Sequence, residues 1–429
     1  MKVRRSPHVV SAVAMIREGR FSMDFAVAYS PDQQRFREEV RTWLEDNTLA
    51  EMKVPIEPRD FSADIYWYWR DKHKELAKKG WLYPTFPKEY GGGGLTGDHE
   101  VVIDEEFAKA QAPRSFSDNH FLLTILVWGT EEQKQKFLVP ILNGEKVSWN
   151  KLTEPHSGAD LADYRSRAVR DGDDWLVTGS QVYQGDHEEA DMMCGPLLTD
   201  PDAPRHRNLG YFVIDIPSPG LEIREMDLLP RRRKRAVFME NVRLPGDHLI
   251  GGDHQGWQVV GTHLEDEHGG RGRAAPRDEY TDHMVEYVSG TKHNGGTLGS
   301  DPVVQQLTME NVLDGHVQRI LLQRTYWMYQ SRMSIQHEGN LANVHGRESS
   351  LRIEKRVRDV YGPYALLNTR EPGAPHGGRH EINAVNRAGQ NHAGGSTNIA
   401  KVVLARRIGI SRTQERAAPT PSTATSYGS

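Results

Sequence analysis

RAVRDGDDWLVTG, residues Arg167–Gly179, decides the architecture. Arg167–Arg170 and Trp175–Val177 are short β-prone runs on either side of the turn formers Asp171-Gly172-Asp173, and they read as a hairpin. Working outward, the same character extends from about Val147 to Ile250. Tyr211–Ile214 and Ala236–Val242 read as further strands, with Pro217, Pro219, Gly220, Pro230 and Pro245 separating the runs. Strands here do not alternate with helical patterns, which disfavours a doubly wound nucleotide-binding fold.

Beyond both ends of this β segment the periodicity becomes helical. Upstream, Ser30 with Gln33 forms a capping box and Pro31 occupies the first turn, so a helix is expected through Phe36, Val40, Trp43 and Leu44. Ser62 opens a second helix carrying Ile65, Trp69 and Leu76, with Gly80 placed to end it. A third runs through Val101, Val102 and Phe107. Thr130 and Gln133 form a second capping box for Glu131–Leu142. Downstream, helical segments are expected over about Trp257–Val288, Val303–Ile335, Ser349–Tyr361 and Thr397–Gly409. A Gly/Pro/His-rich loop, Thr369–Gly395, separates the last two. The expectation is a mostly α protein with a central β domain: an extension over 1–26, an N-terminal helical domain over 27–146, a middle β domain over 147–252, a C-terminal helical bundle over 253–412 and a tail over 413–429. Met23 is a candidate start behind the basic first 22 residues, and both ends are expected to be disordered.

Composition narrows the function. The chain has 429 residues and a net charge of -5, so no broad basic field exists to attract nucleic acid. No apolar run reaches the roughly 18 to 20 residues of a membrane span. Cys194 is the single cysteine, which excludes a disulfide framework and fits a reducing cytoplasm. Although His263 and Glu267 share a helical face, no metal-binding signature accompanies them, and no metal is expected.

An ordered series of motifs then carries a family likeness. Gly80–Leu95 reads GWLYPTFPKEYGGGGL and is followed by Glu105-Glu106; Gly129–Gly144 reads GTEEQKQKFLVPILNG; Thr153–Asp160 reads TEPHSGAD; then come Asp171–Gly179 and Val242–Pro245 ahead of Gly256-Trp257. In order and spacing these resemble the landmarks of acyl-CoA dehydrogenases over roughly Pro31 to Ile410. The resemblance implies an N-terminal helical domain, a barrel or sandwich middle domain and a C-terminal four-helix bundle. It also implies FAD, an acyl-CoA substrate, electron transfer to an electron-transferring flavoprotein, and a homo- or hetero-oligomer, dimer or tetramer. The flavour is that of the branch acting on bulky acyl-CoAs, including steroid side-chain thioesters, in lipid or steroid metabolism.

Site residues follow from the same resemblance. TEPHSGAD is similar to the family's TEPGxGSD, the loop that wraps the flavin and passes the CoA pantetheine. Thr153, Gly158 and Ala159 fall on cofactor positions, and His156 and Asp160 on the substrate side. His156 replaces a glycine, where close backbone approach is needed, and Ala159 replaces a serine. Gln181–Asp186 (QVYQGD) resembles the loop that meets flavin N5. Tyr183 is its aromatic, Gln184 its neighbour, and Gly185 stands where the family has a hydroxyl. One family branch carries its catalytic glutamate where this chain has Gly394. A second places it on an early helix of the C-terminal domain, where Leu264–His268 (LEDEH) puts Glu267, followed by His268. A carboxylate in an apolar acyl pocket has a raised pKa and suits removal of an α-proton. In Thr291–Gly295 (TKHNG) an expected arginine is missing, and Lys292 or His293 is the candidate cation for the flavin diphosphate. Gly394, Gly395, Ser396 and Thr397 precede the last helix and suit a phosphate or flavin edge, or simply an ordinary cap. Arg231, in the run Arg231–Arg235 (RRRKR), is a candidate for the CoA phosphate, against the plain reading of a solvated charged face.

The leading expectation is FAD-dependent α,β-dehydrogenation of an acyl-CoA. The substitutions at His156, Gly185, Thr291 and Gly394 keep three rivals open. One is a catalytically degenerate subunit of a hetero-oligomer; another is a flavin-less hydratase or lyase using Glu267 and His268 as an acid–base pair; the third, of a different class, is a binding scaffold.

Overall fold

A computed structural model describes residues 29–53, 61–117, 119–150, 152–185, 189–229, 234–267, 279–331, 333–369, 371–387 and 396–411. Helix α1 (Pro31–Asn47) begins as its sequence dictates. The Ser30 hydroxyl accepts from the Gln33 amide at 3.1 Å, and the Gln33 side chain accepts from the Ser30 amide at 2.9 Å. Such a box satisfies two otherwise orphaned donors and stabilises a helix by about 1 kcal/mol. Helix α2 (Ala63–Lys78) is capped by Ser62, and the chain leaves it through Gly80 at φ +72°. Helices α3 (Gly97–Ala110) and α4 (Asn119–Trp128) follow. Helix α5 covers 131–142 and opens on the Thr130/Gln133 box. Its middle, Lys134–Leu138, is a π-turn ahead of Pro140.

The middle region is a single eight-stranded sheet: β1 (Ser148–Asn150), β2 (Arg167–Asp171), β3 (Asp174–Gln184), β4 (Met192–Leu198), β5 (Leu209–Asp215), β6 (Leu221–Met226), β7 (Lys234–Leu244) and β8 (Leu249–Ile250). Its path runs β6-β7-β3-β2-β4-β5-β8, and β1 pairs in parallel with β4. The hairpin turn is tighter than the sequence reading, because Asp171 pairs directly with Asp174 and leaves Gly172-Asp173 as a two-residue loop. Gly172 supplies the positive φ (+65°) that such a loop requires.

Helices return as α6 (Gly256–Glu267), α7 (Glu279–Gly290), α8 (Pro302–Gln330), α9 (Glu338–Tyr361), α10 (Arg379–Arg387) and α11 (Thr397–Arg407). A small hairpin, β9 (Lys292–His293) with β10 (Gly296–Thr297), lies between α7 and α8. Two expectations are corrected. First, α9 starts at Glu338 rather than near Ser349. Gly339, Asn340, Asn343 and Gly346 weaken its local helical signal, but packing on α8 overrides it. Asp314 of α8 accepts from Arg352 and Arg356 of α9, each at 2.7 Å, and His345 pairs with Gln318 at 2.8 Å. Second, the Gly/Pro/His-rich stretch contains α10, whose His380, Glu381 and Ile382 are buried.

One continuous apolar core runs from Val40 in α1 through the sheet to Val260 in α6. A second unites α7 and α9 around Met284, Val288, Ile353 and Val357. No helix among the described residues is long and apolar enough to cross a membrane.

Candidate functional site

Two segments singled out in the sequence lie against each other. The first is the loop Thr153–Asp163. Glu154 is 3% exposed, and its carboxylate accepts from the backbone amides of Arg165 and Ser166, each at 2.8 Å, and from Gln181 Nε2 at 2.9 Å. Glu154 and Ser157 also exchange backbone hydrogen bonds at 2.9 and 3.2 Å. A buried charge needs this degree of satisfaction, so the acidic residue of the motif is the pin that shapes the loop. Burial, together with the Glu154 charge, pushes the Tyr164 hydroxyl well above its usual pKa.

His156 folds back onto its own loop. Its Nε2 lies 2.9 Å from the Asp163 carbonyl oxygen and 3.5 Å from Glu154 Oε2. Asp160 pairs with Arg205, and the Ser157 hydroxyl donates to the Asp160 carbonyl at 2.6 Å. Gly158 and Ala159 are exposed on the loop, and a Cβ at Gly158 would make only an ordinary contact, 3.5 Å from Thr153 Cγ2.

The second segment is the end of β3. The Thr153 carbonyl accepts from the Val182 amide at 3.0 Å, which ties it to the first loop. Between Gln181, paired with Val237, and Gln184, paired with Arg235, β3 spends one residue more than β7. This is a β-bulge, with Tyr183 at φ +61°. A bulge reverses the inward-outward alternation. Trp175, Val177 and Gln181 face inward at odd positions; after the bulge Gln184 is the buried residue and Tyr183 is exposed. Gln184 Nε2 donates to the Val182 carbonyl at 2.9 Å.

Gly185 has φ +62°, and a Cβ built on it would lie 2.6 Å from Cε2 of Trp149 in β1. No side chain fits at this position without moving the indole. Arg235 is 8% exposed, and its guanidinium carbon sits 5.1 Å from the Trp149 ring centroid. The basic run Arg231–Arg235 therefore ends in a buried cation, whereas the sequence suggested a solvated face. Trp149 was not singled out in the sequence, and Arg235 was read only as part of the charge run. The available signal was a large aromatic four residues ahead of Thr153 and a charge run that continues into a strand.

The remaining sequence candidates are dispersed. Lys292 is exposed in the β9–β10 hairpin. The Ser396 hydroxyl accepts from the Ile399 amide at 3.3 Å, an ordinary N-cap for α11, and Thr397 begins that helix. Arg231, His268, Gly394 and Gly395 lie outside the described residues, as does the side chain of Glu267, whose backbone closes α6. One turn earlier, His263 is fully buried, with its Nδ1 3.5 Å from the Tyr211 hydroxyl and its ring 5.5 Å from that of His120. Among the described residues no group of three His, Cys, Asp or Glu side chains is arranged to hold a metal.

A cavity of about 580 Å³ lies elsewhere, between α1, α3, α7 and α10. Arg41, Glu106, Lys109, His283 and Arg379 line it, and none of the sequence-predicted site residues does. Its wall is held by charge. Burial pushes the Glu106 carboxyl up, but hydrogen bonds from Lys109, Arg41 and Arg37 overcome this and hold it down at about 2.

Comparison with known proteins gives a consistent picture. Residues 30–145 match the family model described as acyl-CoA dehydrogenase, N-terminal domain. Acyl-CoA dehydrogenase FadE26 of Mycobacterium tuberculosis is 28% identical over 366 residues, which cover 83% of this chain and 91% of that protein. Among solved structures, the ChsE4–ChsE5 complex from Mycobacterium tuberculosis superimposes with a TM-score of 0.79 at 26% identity, covering 91% of this chain and 100% of that one. The Tcur3481–Tcur3483 steroid ACAD gives 0.79 at 23% identity, covering 92% and 100%, a likeness of fold.

Proposed function

We infer, since residues 30–145 match the acyl-CoA dehydrogenase N-terminal domain and the likeness to FadE26 spans 83% of the chain, that this protein is an oxidoreductase of that family acting on CH–CH bonds, binds FAD and dehydrogenates a bulky acyl-CoA between Cα and Cβ. The observation that carries this is the joined pair of loops. A buried, fully satisfied Glu154 fixes the Thr153–Asp163 loop against the end of β3. Beside that junction, Trp149 Nε1 and Gln184 Oε1 are buried and lack hydrogen-bond partners among the described residues. Unmet polar atoms next to a rigid, partly exposed shelf suit a flat polar ring.

Thr153, Gly158, Ala159 and Tyr183 would hold that ring, and Lys292 and the Gly394–Thr397 segment its diphosphate end. Bound FAD supplies the hydride acceptor. Glu267 takes the α-proton on a carboxylate oxygen. His156 and Asp160 border the thioester arm, and Arg231 meets the CoA phosphates. Electrons leave to an electron-transferring flavoprotein.

A polycyclic or similarly bulky acyl group is the substrate class we favour, in line with the steroid ACAD among the proteins of the same fold. Oligomer formation is supported by α8, where Val303, Met309, Leu313, Val317 and Ile320 form an exposed apolar row. One observation favours a second reading, a subunit that completes its site with a paralogue. At Gly185 both the backbone conformation and the indole exclude a hydroxyl-bearing side chain.

The visible spectrum of the purified protein separates the cases. A flavin band near ~450 nm is expected; a colourless protein that takes up no added FAD removes the redox reading. With flavin present, Glu267→Gln is expected to lower turnover by at least ~100-fold, and unchanged turnover removes Glu267 as the base. A yellow protein that turns over only with a co-expressed paralogue supports the subunit reading.

A further inference from the structure

The indole edge of Trp149 stands where a side chain at position 185 would be. A Cβ on Gly185 would lie 2.6 Å from Cε2, 2.9 Å from Cζ2 and 2.9 Å from Nε1. Trp149 is 4% exposed. Arg235 over the ring face and Gly185 against its edge fix the indole in place. Its Nε1–H nonetheless has no acceptor among the described residues. An indole N–H is a donor only, and a buried donor without a partner is costly enough that native sites rarely keep one.

We propose that Trp149 is a cofactor-contacting residue, whose Nε1–H donates to an acceptor atom on the edge of the flavin ring in place of a hydroxyl at position 185. The proposal rests on the FAD reading above and adds a consequence for redox poise. A hydroxyl both donates and accepts, so it serves a ring nitrogen whether or not that nitrogen carries hydrogen. The indole serves only the bare, oxidised nitrogen and opposes the hydrogen-bearing, reduced one. Trp149 therefore binds the oxidised cofactor selectively and holds its reduction potential down.

The test compares the FAD-loaded full-length protein with Trp149→Phe. The substitution removes the donor and keeps an aromatic ring. FAD affinity is expected to fall about tenfold, and the midpoint potential, read by spectroelectrochemistry, to move positive. An unchanged potential in flavin-loaded Trp149→Phe overturns the proposal and leaves the FAD reading standing; failure of the unaltered protein to take up FAD overturns both. Should the variant not fold, the unaltered protein answers through its indole ¹⁵N–¹H signals, of which there are nine. One signal is expected to shift when FAD is added and to shift again on reduction with dithionite. No shift in any of the nine overturns the proposal.

Discussion

The two ends of the shelf are built on opposite terms. At the Glu154 end two backbone amides and one side-chain amide converge on a single buried carboxylate, and only the far oxygen of that amide, Gln181 Oε1, lacks a partner among the described residues. At the Gly185 end, a few residues along β3, the polar atoms Trp149 Nε1 and Gln184 Oε1 are left without partners, and a bulge has turned the strand over. The carboxylate at the first end belongs to the fold and is satisfied from within it. The second is incomplete as a piece of protein, which is the mark of a surface shaped for something else. The substituted residue at the first end, His156, turns away onto its own loop, so the substitution that looked most obstructive in the sequence is the less consequential one.

The sharpest way to break this contrast is Glu154→Ala. It strands the Arg165 and Ser166 amides and is expected to cost about 4 kcal/mol of stability, measured by urea unfolding. A loss under about 1 kcal/mol would mean that the carboxylate is not the pin. Next comes Gly185→Ser, which restores a hydroxyl in the sequence. With φ at +62° and the indole in the way, it is expected to lose about 2 kcal/mol and gain no turnover. A stable, more active variant would show that the end of β3 is more pliant than its geometry implies.

Both measurements belong near neutral pH, because another buried carboxylate contributes to the acid limb. Glu106 titrates near 2 in the folded protein against an ordinary value of 4.5. Its contribution to stability is fully present above about 4.5 and is lost as pH falls toward about 2. Glu106→Gln is expected to flatten that part of the stability–pH curve. The smallest effect is reserved for Tyr183→Ala. The ring is exposed at the bulge, so stability should change by less than about 0.5 kcal/mol while FAD binding weakens. A large stability loss would make Tyr183 a structural residue.

What could be read in the sequence was whatever local chemistry decides. Both capping boxes, the Gly80 exit and the Gly172 turn depend on residues within four positions of each other, and all are present in the structure. The order helices, strands, helices followed from periodicity alone. What could not be read depends on distant partners. The bulge at Val182–Tyr183 exists only as a count of β3 against β7, more than fifty residues apart. The early start of α9 depends on Asp314 and Gln318 of another helix, and α10 on burial of a face whose neighbours lie elsewhere in the chain. At the site, the shelf loop was legible because its motif is contiguous, whereas Trp149 meets Gly185 across thirty-six positions and leaves no sequence pattern.

Gln133 carries one more consequence. Its side-chain oxygen accepts from the Thr130 amide at 3.0 Å, while its nitrogen donates to the carbonyls of Asp247 at 2.9 Å and Leu249 at 2.7 Å. One amide group is thus both the latch on the first turn of α5 and the rivet holding the final strand of the sheet. Fraying of that turn releases the strand, and departure of the strand loosens the turn. Heat should therefore melt the two as a single unit, and hydrogen exchange at both places should rise together.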